Sequence, residues 1–264
     1  MGRQFLTSDS SVWPDRYGTG SDGALTISSN TTDATANTTF SGTSGNTTGT
    51  AGSGTGFAAG NLILIHQSRN GGSGAGVWEL NKISSVGGGT NWTLSYPLQN
   101  TYGTTGQVFL LKQYTTVTIN GGQTLTGQSW SSGSLKGGIL ALFATVSITA
   151  TGNIAINGAN ASGSGGATGN GYNGGSVPGS GVGFAGEGTS GESVQQNSAN
   201  GNGGGGANNG TDGGGGGGGN GSAGNAGSGT GGGLAGNTAG AANLTTMVFG
   251  GGGGAPTDSS NAGG

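Results

Sequence analysis

Residues 210–233 read GTDGGGGGGGNGSAGNAGSGTGGG, with seven successive glycines from Gly213 to Gly219. A run of this kind excludes most folds. Glycine costs about 1 kcal/mol per residue in a helix relative to alanine, and it brings no side chain to a sheet core. Two outcomes remain: a flexible coil, or bare backbones packed so closely that a Cβ would obstruct them.

Composition helps to separate the two. The chain has 70 glycines in 264 residues, several times the roughly 7% of an average protein. Only 29% of residues are hydrophobic, which argues for disorder, but only 6% are charged and the net charge is −3. Disordered chains are as a rule rich in charge and proline, whereas the bias here is to Asn, Ser, Thr and Ala. The glycine-rich part begins near Gly158 and runs for about a hundred residues, long for a linker between compact units. Tyr172, Val177, Val182, Phe184, Val194, Leu234 and the cluster LTTMVF (244–249) punctuate it like anchors. Extended chains of three residues per turn have no internal hydrogen bonds and must bond to neighbours. The expectation is therefore an ordered, polyglycine II-like array over 158–264, with a flexible Gly/Ser linker as the competing reading.

The first half has strand character. NLILIHQ (61–67), VWELNKISSV (77–86), NWTLSYPL (91–98) and QVFLLKQYTTVTI (107–119) are separated by glycine-rich turns, as in antiparallel meanders. In 77–86, Val77, Glu79 and Asn81 alternate with Trp78, Leu80 and Lys82. A small β-sandwich or barrel is expected over 17–114, after an N-terminal arm at 1–16. From 115 to 157 short apolar pairs (Val117/Ile119, Val146/Ile148, Ile154/Ile156) with Gly or Asn corners predict rungs of a β-solenoid. The fold class read from sequence is all-β with essentially no α-helix.

Several functions are excluded or disfavoured. Six Lys and Arg without a basic run leave no nucleic-acid footprint. There is no Cys, hence no disulfide framework. MGRQFLTSDSSVW lacks the apolar core of a signal peptide, and the apolar stretch around Ile139–Val146 is too short to span a bilayer as a helix. The single His66 sits in an apolar strand, no two of the nine acids have a spacing that suggests cooperation, and no GxxxxGK[ST] motif occurs. The chain reads as a non-enzyme without a cofactor. YGTGSDGAL (17–25) partly echoes the calcium nonapeptide of β-rolls, but those sites need tandem copies. Asp22 is the one candidate calcium ligand, and a turn is its favoured reading.

Binding remains. Trp13, Trp78, Trp92 and Trp130 could stack on sugars, although burial is the favoured role of Trp78 and Trp92. In 172–200, Tyr172, Phe184, Glu187, Glu192, Gln195 and Gln196 are the side chains that a glycine scaffold would present to a receptor; the opposing reading is that Phe184 only pins the loop.

GFAAGNLILIHQSRNGG, VWELNKISSV, WTLSYPLQNTY and QVFLLKQYTTVTINGGQTLT, followed by GGILALFATVSITATGNIAINGANASGSGG, resemble the glycine-rich modules of bacterial surface proteins and phage tail-fibre proteins. GTGSDGALTIS (18–28) resembles the start of such a module. The glycine-rich half is similar in style to the distal tail-fibre adhesins of T-even-like phages. The resemblance implies an extracellular or virion-surface structural protein that binds a host-cell glycan or protein through loops on its scaffold. It also implies partners among other fibre subunits, homo-oligomeric assembly and no membrane insertion. A self-assembling bacterial filament subunit and a carbohydrate-binding module are the alternatives. The ending at NAGG leads one to expect either a longer natural chain or a cap from a neighbouring subunit.

Overall fold

The computed structural model describes residues 18–155, 171–178, 181–208 and 213–257. The arm at 1–16 and the NAGG ending lie outside them. Among the described residues the structure is all-β without a helix.

The twelve strands among the described residues form two assemblies. The first is a closed antiparallel barrel, ordered β3-β4-β7-β6-β5-β8. Its strands are β3 (Asn37–Gly42), β4 (Thr48–Ala51), β5 (Leu62–Gln67), β6 (Trp78–Gly87), β7 (Asn91–Leu94) and β8 (Gly106–Leu110). Closure removes the open edges that would otherwise pair with other chains. Phe40, Ile63, Ile65, Ile83, Trp92, Leu94, Tyr102 and Val108 fill it. In β6 the alternation places Glu79, Asn81 and Ile83 inward and Trp78 and Leu80 outward. Thus Trp92 is core, whereas Trp78 is half-buried on the outside with its indole N–H donated to Leu244 O at 2.8 Å. The inward Glu79 is not wasted: its Oε2 accepts from the amides of Gln99 (2.9 Å) and Asn100 (3.0 Å) and from the Tyr102 hydroxyl (3.1 Å), fixing the 95–102 loop across the barrel end.

The second assembly is a stack of three parallel rungs. One is β1 (Leu25–Ile27) with β2 (Thr31–Thr32), the next β9 (Lys112–Ile119) with β10 (Thr124–Thr126), and the last β11 (Leu142–Ala150) with β12 (Asn153–Ala155). The sheets run β1-β9-β11 and β12-β10-β2. This corrects the division at residue 114. The first rung precedes the barrel, which is inserted between rungs one and two, because Leu25–Ile27 pair with Val117–Ile119. The rungs and the barrel share a dry seam. Leu62, Leu64, Phe109 and Leu111 point out of the barrel and are covered by Ile139, Ala141, Phe143 and Met247. For that reason every residue of β5 is buried and LILIHQ reads as a continuous apolar run rather than an alternating one.

In the glycine-rich part the backbone bonds repeat every third residue. Gly204 and Ala207 donate to Gly252 and Ala255; Gly205 and Asn208 to Leu234 and Gly231; Gly206 to Gln196. Gly214, Gly217 and Asn220 donate to Ser228, Asn225 and Ser222, while Gly216 and Gly219 donate to Gly205 and Asn202. Successive residues of one segment therefore address different neighbours, which is the behaviour of a threefold extended chain bonded sideways. Segment 200–208 lies at the centre, bonded to 183–186, 196, 214–219, 231–234 and 252–255. Closeness explains the composition. A Cβ on Gly204 would lie 1.9 Å from Gly216 O, and one on Gly254 would lie 1.9 Å from Gly205 O.

Candidate binding surface and the seam behind it

β5 ends in His66-Gln67 and leads into Ser68-Arg69, all four buried, beneath the glycine array. Trp130, Tyr172 and Phe249 pack there as an aromatic cluster, with Tyr172 and Phe249 centroids 5.1 Å apart and Trp130 and Phe249 5.3 Å apart. Arg69 pairs with Glu187 in the interior, lies 5.3 Å from the Trp130 ring centroid, and reaches Glu192 Oε1 at 3.2 Å. Glu187 Oε2 accepts from Trp130 Nε1 at 2.9 Å and from Asn173 N at 3.0 Å. The Tyr172 hydroxyl donates to Ser68 O. Burial pushes the Glu187 carboxyl above its ordinary range, opposed by the Asn173 amide, Arg69 and the Trp130 N–H. Burial likewise holds His66 down at about 4, opposed by its hydrogen bond to Met247 O. The neutral ring donates from Nε2 to that carbonyl at 2.6 Å and offers Nδ1 to Gln107 Nε2 at 3.4 Å.

The six side chains read as one contact set therefore divide. Tyr172 and Glu187 are 0% and 1% exposed and bind the array to the barrel; as they stand, a receptor cannot touch them. Burial was invisible in sequence because Arg69 and Trp130, their partners, lie far upstream. Phe184 is half-buried and bridges Gln195 across two antiparallel segments. Glu192 and Gln195 are exposed and Gln196 is half-exposed, forming with Val194 (43% exposed) a flank of the array.

A second surface was not anticipated. The reversals at 188–191 and 240–246 face the barrel, where Asn70 N donates to Thr189 O and Met247 N to Gly76 O. Because 200–208 runs parallel to the segment leaving Met247, Asn208 and the 228–231 reversal fall at the opposite end, joined by Asn208 N to Gly231 O at 2.6 Å. Asn208, Ser228 and Thr230 are exposed there.

The remaining candidates are placed as follows. Asp22 is 2.9 Å from Lys112 Nζ and accepts from Gln113 N at 2.7 Å. Partial burial acts to raise its carboxyl, but the Gln113 amide and Lys112 hold it below the ordinary value. Among the described residues no three His, Asp or Glu side chains gather as metal ligands. Trp130 is 2% and Trp92 1% exposed; Trp13 lies outside the described residues. Across β3, β4 and β7 runs an open, uncharged groove of about 570 Å³ whose lining includes Ser41, Thr48, Thr50, Asn91 and Thr93. No described helix is long and apolar enough to cross a membrane.

No protein-family model matches the chain, and no curated protein matches it. Among solved structures, the Gp54 tailspike of Acinetobacter baumannii bacteriophage AP22, in complex with A. baumannii capsular saccharide, is similar over 53% of this chain and 30% of that one, at 10% identity and a TM-score of 0.27. So low a score identifies no shared fold. The chain corresponds to under a third of the tailspike's length.

Proposed function

We infer that the protein is a structural and adhesive component of a virion-surface or cell-surface fibre, without catalytic activity or a bound cofactor, working in a homo-oligomer. One observation supports this reading: the described glycine segments spend their backbone groups on one another in lateral hydrogen bonds. Side chains are thereby left to the 192–196 flank and to the reversals at its far end. Such a body is a stiff bearer of short loops, and small amide and hydroxyl side chains on a rigid base are the adaptable vocabulary of recognition. The partner is a host-surface glycan or protein. The neutral groove on β3, β4 and β7 supports a second reading, a carbohydrate-binding module, for which the barrel alone would bind sugar.

The test is binding of labelled protein to a panel of bacterial cells. Glu192→Ala/Gln195→Ala/Gln196→Ala and Asn208→Ala/Ser228→Ala/Thr230→Ala are compared with the parent, with unchanged melting as the fold control. Loss of binding in either triple variant supports the reading. Binding that survives both, or no binding to any cell, refutes it; loss only on Thr48→Ala/Asn91→Ala transfers the function to the groove.

A further inference from the structure

The rungs stack in columns: Leu25, Val117 and Ile148; Ile27, Ile119 and Ala150; Thr31, Leu125 and Ile154. The two ends of the stack differ in burial. At the β1 end Ile27 is 2% exposed, and Leu25 and Thr31 are half-buried. At the β11 end Ile148 and Ile154 are each 53% exposed and Val146 is 74% exposed. Among the described residues β11 pairs only with β9, and β12 only with β10. One end is covered, and the other is an open pair of edge strands.

The ends differ in charge as well. Asp22 precedes β1 and Asp33 follows β2, so carboxylates flank the first rung on both sides, a usual protection of an edge strand. From Gly137 to Ala155 the chain carries no charged residue and no proline. In β11 a bulge separates Leu142–Ala144 from Ser147–Ala150. Beyond it the edge is regular, with the β-branched Ile148 and Thr149.

Whatever completes this end must bring an uncharged strand edge and apolar side chains to cover Ile148 and Ile154. A second copy of the chain brings both, through the same end. Contact with that copy's β1 end is disfavoured, because Ile27 is already covered there and Asp22 and Asp33 stand beside it. Contact of like ends sets each residue near its own image. A charge in such a place would repel itself; this surface has none. A two-fold axis normal to the sheets runs β11 antiparallel to its copy and keeps inward residues inward. Both open edges are then consumed, and association stops at two.

We propose that the protein pairs with a second copy of itself through β11 and β12, antiparallel about a two-fold axis, so that Ile148 and Ile154 of the two copies close one continuous core. This rests on the homo-oligomer of the proposed function and names its interface. β11 and β12 supply nine and three residues, against the roughly 20–30 a side of a standard interface. The dimer therefore dissociates on dilution.

Sedimentation equilibrium of the full chain over a wide range of concentration is the first test. Val146 is largely exposed in the single chain, so Val146→Lys leaves that fold intact, as melting of dilute protein checks. Across the two-fold it sets like charges close together, and the dissociation constant should rise by about tenfold or more. The second test uses the absence of cysteine from the chain. Single cysteines are placed in turn at Val146, Ser147, Ile148, Thr149 and Ala150 and oxidised at high concentration. An antiparallel pair meets itself at one point only, so disulfide-linked dimers should peak at one position, or at two adjacent ones, and fall away on both sides. Cross-linking spread evenly along the series would mean a parallel contact and overturns the two-fold. An oligomer that Val146→Lys leaves intact, with no cysteine cross-linked, overturns the interface but leaves the homo-oligomer standing. A monomer at every concentration overturns both, while cell binding by the 192–196 and 208–230 variants is read independently.

Discussion

Replacing Gly204 by alanine tests the packing of the array most directly. The backbone at Gly204 is not in the left-handed region, so the substitution strains no dihedral; only space is at issue. The added Cβ would lie 1.9 Å from Gly216 O. Ordinary van der Waals contact requires the 216 segment to retreat by about 1.5 Å. Gly216 donates to Gly205 O at 2.8 Å and accepts from Gly254 N at 2.7 Å, and neither bond survives such a shift. With each of the two bonds worth about 1 kcal/mol net and one buried orphan per bond costing about 1–3 kcal/mol more, the loss is about 4–8 kcal/mol. The matched control is Gly221→Ala, whose Cβ meets nothing within 4 Å. There the change should be neutral or stabilising by about 0.4–1 kcal/mol, through a smaller unfolded-state entropy. Urea unfolding gives the two free energies, and hydrogen exchange over 201–254 localises them. If Gly204→Ala comes within about 1 kcal/mol of Gly221→Ala, the close-packed description is wrong.

Other consequences concern the seam. Glu187→Ala strands the Arg69 guanidinium in the interior and should cost about 3–5 kcal/mol in thermal or urea unfolding; Glu187→Leu with Arg69→Met should recover much of it. His66 has a folded-state value of about 4, below its ordinary 6.5. Its neutral form is therefore favoured by folding, so its contribution is complete above pH 6.5 and falls as the pH drops towards 4. The full effect is about 3 kcal/mol, and the difference in stability between parent and His66→Gln should fall across that window. A difference that stays flat with pH would show that the imidazole is not sealed from water. Trp130→Phe retains the ring but removes the donor to Glu187, and should cost about 1–3 kcal/mol in the same melts.

The sequence made some of this structure legible and concealed the rest for physical reasons. Strand alternation in 77–86 was correct in period, but which face turned inward depended on Ile83 and Trp92 sharing the barrel interior with Glu79. A carboxylate is an improbable core residue until the Gln99 and Asn100 amides are seen to meet it. The rung at Leu25–Thr32 was hidden because its partners come after the whole barrel, and short parallel strands carry little signal of their own. Tyr172 and Glu187 looked like the display residues of a glycine-rich loop. In such a tract any large side chain does, whether it points out to a receptor or back to an anchor. Glu192, directly after the Gly188–Gly191 reversal, shares Arg69 with Glu187 and yet is exposed.

Glycine itself serves two separate purposes here, and substitution can tell them apart. Gly45, Gly60, Gly88 and Gly89 have φ between +59° and +88° and open space around the position of a Cβ. They are present for conformation, in turns that asparagine can also adopt. Gly204, Gly215, Gly216 and Gly254 have no left-handed φ, and a Cβ on any of them would come within 1.9–2.1 Å of a backbone oxygen. They are present for space, which asparagine cannot supply. Gly88→Asn should thus change stability by less than about 1 kcal/mol, whereas Gly254→Asn should unravel protection across every segment bonded to it. Equal effects at the two positions, measured by exchange in the same buffer, would show that the array tolerates side chains and that its glycines were selected for flexibility.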